Sequence, residues 1–98
     1  MKIPKSFQLF GTTIKVVFDD KFNNNNGSYG IYDPTTQTIT LTGTYKDSGL
    51  SKDMIESVFF HEVIHAILGA MNQHELSQTE EFTQVLSQLF HQFIKTQK

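Results

Sequence analysis

The sequence predicts an α+β fold in which a small antiparallel β-sheet of three or four strands precedes two helices. The first half of the chain alternates apolar and polar residues with the two-residue period of strands, and turn residues separate these segments. From about residue 51, apolar residues instead recur at the three- and four-residue spacing of helices. Ninety-eight residues are enough for one domain with a single modest core. We therefore expect one domain spanning 1–98.

Residues 1–43 are expected to form the sheet half of this domain. Four strands are predicted, at residues 7–10, 12–18, 29–32 and 38–42. The first two are expected to be joined by a tight turn at Gly11, and the last to have one buried and one solvated face. Residues 19–27, which include four consecutive asparagines, are predicted to be a polar loop.

The first predicted helix covers about residues 51–71 and begins a helical half that spans 51–98. Its broad apolar face consists of Ile55, Phe59, Val63, Ala66, Ile67 and Ala70. The most polar group on this otherwise apolar helix is a single stripe that contains His61, Glu62 and His65. Because the helix should be buried on most sides, these three side chains need a partner that satisfies them.

The second predicted helix covers about residues 77–96. Its apolar face consists of Phe82, Val85, Leu86, Leu89 and Phe93. We expect this face to pack on the first helix. Ser77 and Glu80 have the spacing of a capping box, with Ser77 as N-cap. His91 lies about 180° from the centre of the apolar face and is therefore expected to be solvated.

The segment from His61 to His65 has the pattern H-E-x-x-H. In a helix, His61 and His65 lie one turn apart on the same face and can ligate one metal ion together. Glu62 lies beside them, where a carboxylate can take a proton from a water molecule at the metal. The pattern therefore predicts a metal site with Glu62 as the general base.

Composition restricts the ligands and the partners of such a site. The chain has no cysteine, so a metal must be held by histidine and carboxylate, and Zn²⁺ is the ion that this ligand type suggests. Eight scattered lysines and no arginine argue against nucleic-acid binding. No signal peptide or membrane span is visible, so a cytoplasmic protein without a membrane partner is expected.

A catalytic zinc usually takes three protein ligands, so one more is needed. The metzincin pattern is excluded because Leu68 and Met71 occupy its Gly and His positions. The candidates are His74, Glu80 and Glu81, with Glu75 as a distant fourth. On the second helix, Glu81 lies about 100° and Glu80 about 150° from the apolar centre. Glu81 is therefore expected at the edge of the interface with the first helix and is favoured, with His74 and Glu80 as alternatives.

The H-E-x-x-H motif, followed by Glu81 on the next helix, resembles the gluzincin type of zincin metallopeptidase. More specifically, the chain is similar to short zincin-like proteins often encoded by phages and prophages. The resemblance covers most of the chain in layout, but only positions 61–65 and 80–82 in specific motif. No residue is assigned to the oxyanion-stabilising role that a His or Tyr commonly has in gluzincins.

The resemblance implies a zinc-dependent peptidase in which His61, His65 and Glu81 hold Zn²⁺ and Glu62 is the general base. The substrate would be a peptide or protein that pairs with an exposed sheet edge, for which the strand at 38–42 is the candidate. An alternative function is a non-catalytic, metal-stabilised binding or regulatory module of phage or prophage origin. The two functions differ in whether Glu62 is needed.

Overall fold

A computed structural model of the chain describes residues 2–21, 28–45 and 48–97, apart from the side chains of Tyr45 and Ser48. The strands are β1 (Ser6–Leu9), β2 (Thr12–Phe18), β3 (Gly30–Asp33), β4 (Thr38–Leu41), β5 (Thr44–Tyr45) and β6 (Ser48–Gly49). The helices are α1 (Lys52–Ala70), α2 (His74–Gln78) and α3 (Glu80–Lys95). This order confirms the predicted α+β class, with α2 as an additional short helix. The predicted loop at 19–27 lies mostly outside the described residues.

The four longer strands form one mixed sheet in the order β1-β2-β4-β3. β1 and β2 form the expected hairpin, whose two-residue turn is Phe10 (φ 51°) and Gly11 (φ 78°). Positive φ at both positions is what a type I′ hairpin turn requires. β2 and β4 are parallel, so the expectation of an antiparallel sheet is wrong for the central pair. β4 is interior, which also corrects its expected place at the edge, and the two edges are β1 and β3.

The hydrophobic core lies between the sheet and α1. The buried core residues are Ile14, Val16, Ile39, Leu41, Phe59 and Phe60. The first four come from alternate positions of β2 and β4, and the two phenylalanines come from α1. The ring of Phe7 on β1 meets Phe59 edge-on, with the ring centroids 6.2 Å apart. The period-two pattern of the strands therefore forms one wall of the core, and the H-E-x-x-H helix forms the other.

β3 approaches α1 closely at Gly30. A Cβ atom at this position would lie 2.6 Å from Cγ1 of Val58 on α1 and 3.1 Å from Cδ2 of Leu41. The first of these distances is shorter than any tolerated carbon–carbon contact, so a glycine is required here for steric reasons. As a result, β3 lies directly alongside the helix that carries the motif.

α1 has well-defined ends. Ser51 is the N-cap, and its Oγ accepts a hydrogen bond of 3.1 Å from the backbone N–H of Met54. At the other end, Asn72 has a φ of 60°, and the N–H of Gln73 donates to the carbonyl of Leu68 at 2.8 Å. Among the described residues, no helix has both the length and the apolar character that crossing a membrane would require.

α3 packs on α1 mainly with small and polar side chains, and Phe90 adds a ring contact with Phe60. The residues of α3 that are fully buried are Thr83 and Ser87, whose small side chains allow the two helices to approach closely. The predicted apolar face is 36–60% exposed; its residues are Phe82, Val85, Leu86, Leu89 and Phe93. The expectation that this face packs on α1 is therefore wrong.

The position of His91 also differs from the prediction. It was expected in solvent, but its Nε2 lies 3.1 Å from Oε1 of the buried Glu56 on α1. Its ring also stacks on Phe60, with the centroids 5.3 Å apart. A residue about 180° from the apolar centre of α3 faces α1 when the apolar face turns outward.

The start of α3 also differs from the prediction. α3 begins at Glu80 with Thr79 as N-cap, and Thr79 makes no side-chain capping bond. Ser77 lies in the separate helix α2, and its hydroxyl contacts His65 instead of capping a helix. The expected capping box between Ser77 and Glu80 is therefore absent, and the Glu80 carboxylate has no capping role there.

Candidate metal centre

Three side chains from α1 and α3 converge on one point. His61 and His65 lie one turn apart on α1, and their Nε2 atoms are 3.2 Å apart. Glu80, in the first turn of α3, places Oε2 3.1 Å from Nε2 of His61 and Oε1 3.2 Å from Nε2 of His65. The three side chains can each offer one ligand atom to a common metal ion. The predicted pair of histidines is therefore joined by a carboxylate from α3.

The structure places Glu80, and not Glu81, at the third position. Glu81 lies one residue further along α3 and borders a shallow groove with Phe82 and Val85 on the exposed side of the helix. The apolar face of α3 points away from α1, and Glu80, on the opposite side of α3, therefore faces α1. His74 is exposed and borders the cavity next to His65, but it does not belong to the cluster.

Each histidine is held at its other ring nitrogen. Nδ1 of His61 lies 2.7 Å from Oε1 of Gln84, and Nδ1 of His65 lies 2.9 Å from Oγ of Ser77. Because an amide oxygen only accepts, Nδ1 of a neutral His61 carries the proton and its Nε2 presents a lone pair to the cluster. The sequence prediction missed both partners, although Gln84 lies four residues after Glu80 and so shares its side of α3.

The donor set fits a divalent cation. A lone pair of His61 and a carboxylate of Glu80 face each other at 3.1 Å, an arrangement that a cation held between them would stabilise. Ligands of tetrahedral zinc, with bonds of about 2.0–2.1 Å, lie about 3.3 Å from one another. The two Nε2 atoms are 3.2 Å apart, and each lies 3.1–3.2 Å from a different oxygen of the Glu80 carboxylate, so each of these contacts is close to that value. Glu80 is 68% exposed, so the cluster is open to solvent on its side.

Glu62 lies beside the cluster as a buried carboxylate, with 7% of its surface exposed. Burial, with the nearby charge of Glu80, raises its pKa to about 7, against the opposing effects of His61 and a hydrogen bond from the backbone of Tyr32. Burial also lowers the pKa of His65, and His61 adds to this effect. A bound cation would favour the charged carboxylate and the neutral imidazole.

Two cavities meet at Glu62. The larger, about 630 Å³, extends from His65 and Glu62 and is walled mainly by apolar residues, including Leu9, Ile14, Ile31 and Ala66. The smaller, about 330 Å³, lies on the His61 side and is bordered by Gly30, Val58 and Gln84. The cluster therefore lies between two recesses.

The edge of β3 that pairs with no described strand also lies next to Glu62. The N–H of Thr42 donates to the carbonyl of Tyr29, and alternate residues of an antiparallel pair repeat this orientation. The backbone groups of Gly30 and Tyr32 therefore point away from β4. In agreement, the Gly30 backbone forms hydrogen bonds with the hydroxyl of Ser28, and the Tyr32 backbone interacts with the Glu62 carboxylate. β3, and not β4, is the edge strand beside the candidate site.

If the cluster holds a divalent metal ion, replacement of Ser77 by Ala is expected to weaken its binding by roughly 10-fold or more, because partners of a ligating histidine typically have effects of this size. The substitution removes the 2.9 Å contact that orients His65. The dissociation constant can be measured by competition with a chromophoric chelator. Ser6→Ala, the same change at an exposed position of β1, is the control. Equal affinities of Ser77→Ala and wild type would contradict this role.

Comparisons of this chain with protein-family models, with curated proteins and with solved structures found no match. A function is therefore inferred from its own residues.

Proposed function

We propose that the protein is a zinc-dependent peptidase in which His61, His65 and Glu80 hold the metal and Glu62 is the general base. The observation that carries this proposal is the convergence of two imidazole nitrogens and the Glu80 carboxylate, with contacts of 3.1–3.2 Å, beside a buried carboxylate that is not part of the cluster. The resemblance of the H-E-x-x-H motif to gluzincins supports it as well, with Glu80 in the role first assigned to Glu81.

Zinc, when bound, supplies Lewis acidity that polarises a peptide carbonyl and lowers the pKa of a water molecule. Glu62 takes the proton of that water on its carboxylate and then donates it to the nitrogen of the leaving amine. The backbone of Tyr32 lies beside Glu62 and helps to stabilise its charged form. Ser77 and Gln84 hold the histidine rings with their Nε2 lone pairs toward the metal.

The substrate is a peptide in extended conformation that crosses the site along β3. Gly30 and Tyr32 have backbone groups on the side of β3 away from β4, and strand addition uses such groups. At Gly30 the peptide replaces the local hydrogen bonds with Ser28. The apolar 630 Å³ cavity beside His65 accepts an apolar side chain next to the bond that is cleaved. The edge and the cavity both lie next to Glu62, so the substrate is held where the proton transfer occurs.

The position of Glu62 favours catalysis over a purely stabilising metal. A structural metal site is complete with its ligands and needs no further carboxylate. Burying an ionisable group without a ligand role costs free energy, and the wall between two cavities is an unfavourable place for it. A role as general base would explain why Glu62 is buried there despite this unfavourable free energy.

Purified protein is expected to contain one equivalent of zinc and to cleave members of an internally quenched peptide library with apolar residues. Removal of the metal by a chelator should reduce cleavage to background, and added zinc should restore it. His65→Ala should neither bind zinc nor cleave. Stoichiometric zinc without cleavage of any peptide would contradict the peptidase and leave the metal-stabilised binding module. Absence of bound metal would contradict both.

A further inference from the structure

The outward face of α3 is an apolar surface that the described residues leave largely uncovered, although the ring of Phe90 at its border contacts Phe60 on α1, with the centroids 5.6 Å apart. Its members are Phe82, Val85, Leu86, Leu89, Phe90 and Phe93, which are 36–60% exposed. We call these six residues the α3 stripe. The opposite side of α3 packs on α1 and carries Glu80, so the stripe has no part in the metal cluster.

The α3 stripe is large enough to be the centre of an interface. With about 150–250 Å² for a whole aromatic side chain, these fractions expose on the order of 500 Å² of apolar surface. That is near the upper limit for the largest patch on an ordinary monomer. A stable dimer buries about 800 Å² per partner, of which an apolar centre of this size supplies more than half.

The stripe is complementary to itself. When two copies of α3 run antiparallel about a two-fold axis between positions 87 and 88, each stripe residue meets another stripe residue. The pairs are Phe82 with Phe93, Val85 with Phe90, and Leu86 with Leu89. A closed two-fold dimer requires this kind of symmetric match, in which the same surface serves both partners.

Charge favours the antiparallel orientation. Between Glu81 and Lys95, α3 carries no Asp, Glu, Lys or Arg. An antiparallel pair brings the acidic first turn of one copy near Lys95 at the end of the other, whereas a parallel pair would bring the acidic turns together. The helix dipoles also favour the antiparallel arrangement. Lys95 forms an ion pair with Asp53 of its own chain and is 51% exposed, so it remains accessible.

We propose that a second copy of this chain covers the α3 stripe, giving an antiparallel two-fold dimer through α3. This inference goes beyond the proposed function and does not depend on it. The dimer gives the two adjacent glutamates different surroundings, with Glu80 at the metal cluster and Glu81 at the rim of the interface. The β3 edge and the 630 Å³ cavity are formed by other elements and stay open.

Sedimentation equilibrium of the wild-type full chain is expected to give twice the 11.2 kDa of one chain. Leu89→Glu places a charge at the centre of the stripe and should give a monomer. Val17→Glu is the matched control, since Val17 is an apolar residue exposed to 42% on the sheet, and it should remain a dimer. Circular dichroism should show that both variants are folded. A monomeric wild type, a dimeric Leu89→Glu protein or a monomeric Val17→Glu protein would each overturn the proposal.

Disulfide cross-linking tests the orientation, because the chain has no cysteine of its own. Phe82→Cys and Phe93→Cys proteins are oxidised separately and as a mixture. The antiparallel dimer predicts that the mixture forms cross-linked dimer several times faster than either protein alone. Faster cross-linking of the separate proteins would indicate a parallel pair and overturn the proposed arrangement.

Discussion

Substitution of Glu62 by Gln is expected to reduce kcat for peptide hydrolysis by about 10²–10⁴-fold, the usual contribution of a general base. Glutamine has nearly the same shape but cannot take a proton from water at its amide. Because Glu62 is not one of the three clustered ligand groups, zinc content should stay at the wild-type value. Initial rates on a cleaved peptide and elemental analysis of the same sample measure both quantities.

Glu75→Gln provides the control for this experiment. It makes the same chemical change at an exposed position of α2 and should leave the rate unchanged. Full activity of Glu62→Gln protein would remove the general-base role. Loss of zinc from that protein would show that Glu62 is a ligand, which contradicts the geometry in which Glu80 completes the cluster.

The parts of the site that could be predicted from the sequence depend on local periodicity. The spacing of His61 and His65 fixes their relation once the segment is helical, because four residues make about one turn. The position of Glu62 follows from the same helix. The alternation in β2 likewise placed Ile14 and Val16 on one face, and the structure shows both in the core. None of these inferences required knowledge of how distant segments pack.

The errors about α3 have one cause. The predicted positions assume that the apolar face packs on α1, and this assumption puts Glu81 near the cluster and His91 in solvent. With the apolar face outward, the same angles around the helix put Glu80 and His91 against α1. The sequence does contain a signal for this orientation, since Thr83 and Ser87 form a line of small side chains along which another helix can approach. Hydrophobicity alone does not show whether an apolar stripe packs within its own chain.

The sheet topology depends on a different kind of information. The strand at 38–42 was assigned a solvated face from its threonines, yet Thr38 and Thr40 are partly buried in an interior strand. β4 pairs in parallel with β2. A parallel pair needs a long crossover, and the chain between them contains β3. The alternation of apolar and polar residues within a strand does not indicate which distant strand it pairs with.

Glu80→Gln and Glu81→Gln provide the sharpest test of the revised ligand set, because they make the same chemical change at adjacent residues. Glu80→Gln is expected to weaken zinc binding by on the order of 100-fold or more, since it replaces a ligating carboxylate and exceeds the effect of losing an outer partner. Glu81→Gln should bind zinc like the wild type. Dissociation constants from chelator competition measure both, and thermal unfolding with and without zinc provides a second readout.

The opposite result would restore the geometry predicted from the sequence. If Glu81→Gln lost zinc and Glu80→Gln kept it, α3 would have to turn by about 100° in solution, the angle between successive residues of a helix. That turn would also take Gln84 away from His61 and move Thr83 and Ser87 out of the contact with α1. A Gln84→Ala variant would then bind zinc normally, whereas the observed 2.7 Å contact with His61 predicts weaker binding. Zinc affinities of the Glu80, Glu81 and Gln84 variants together therefore test the rotation of α3 relative to α1.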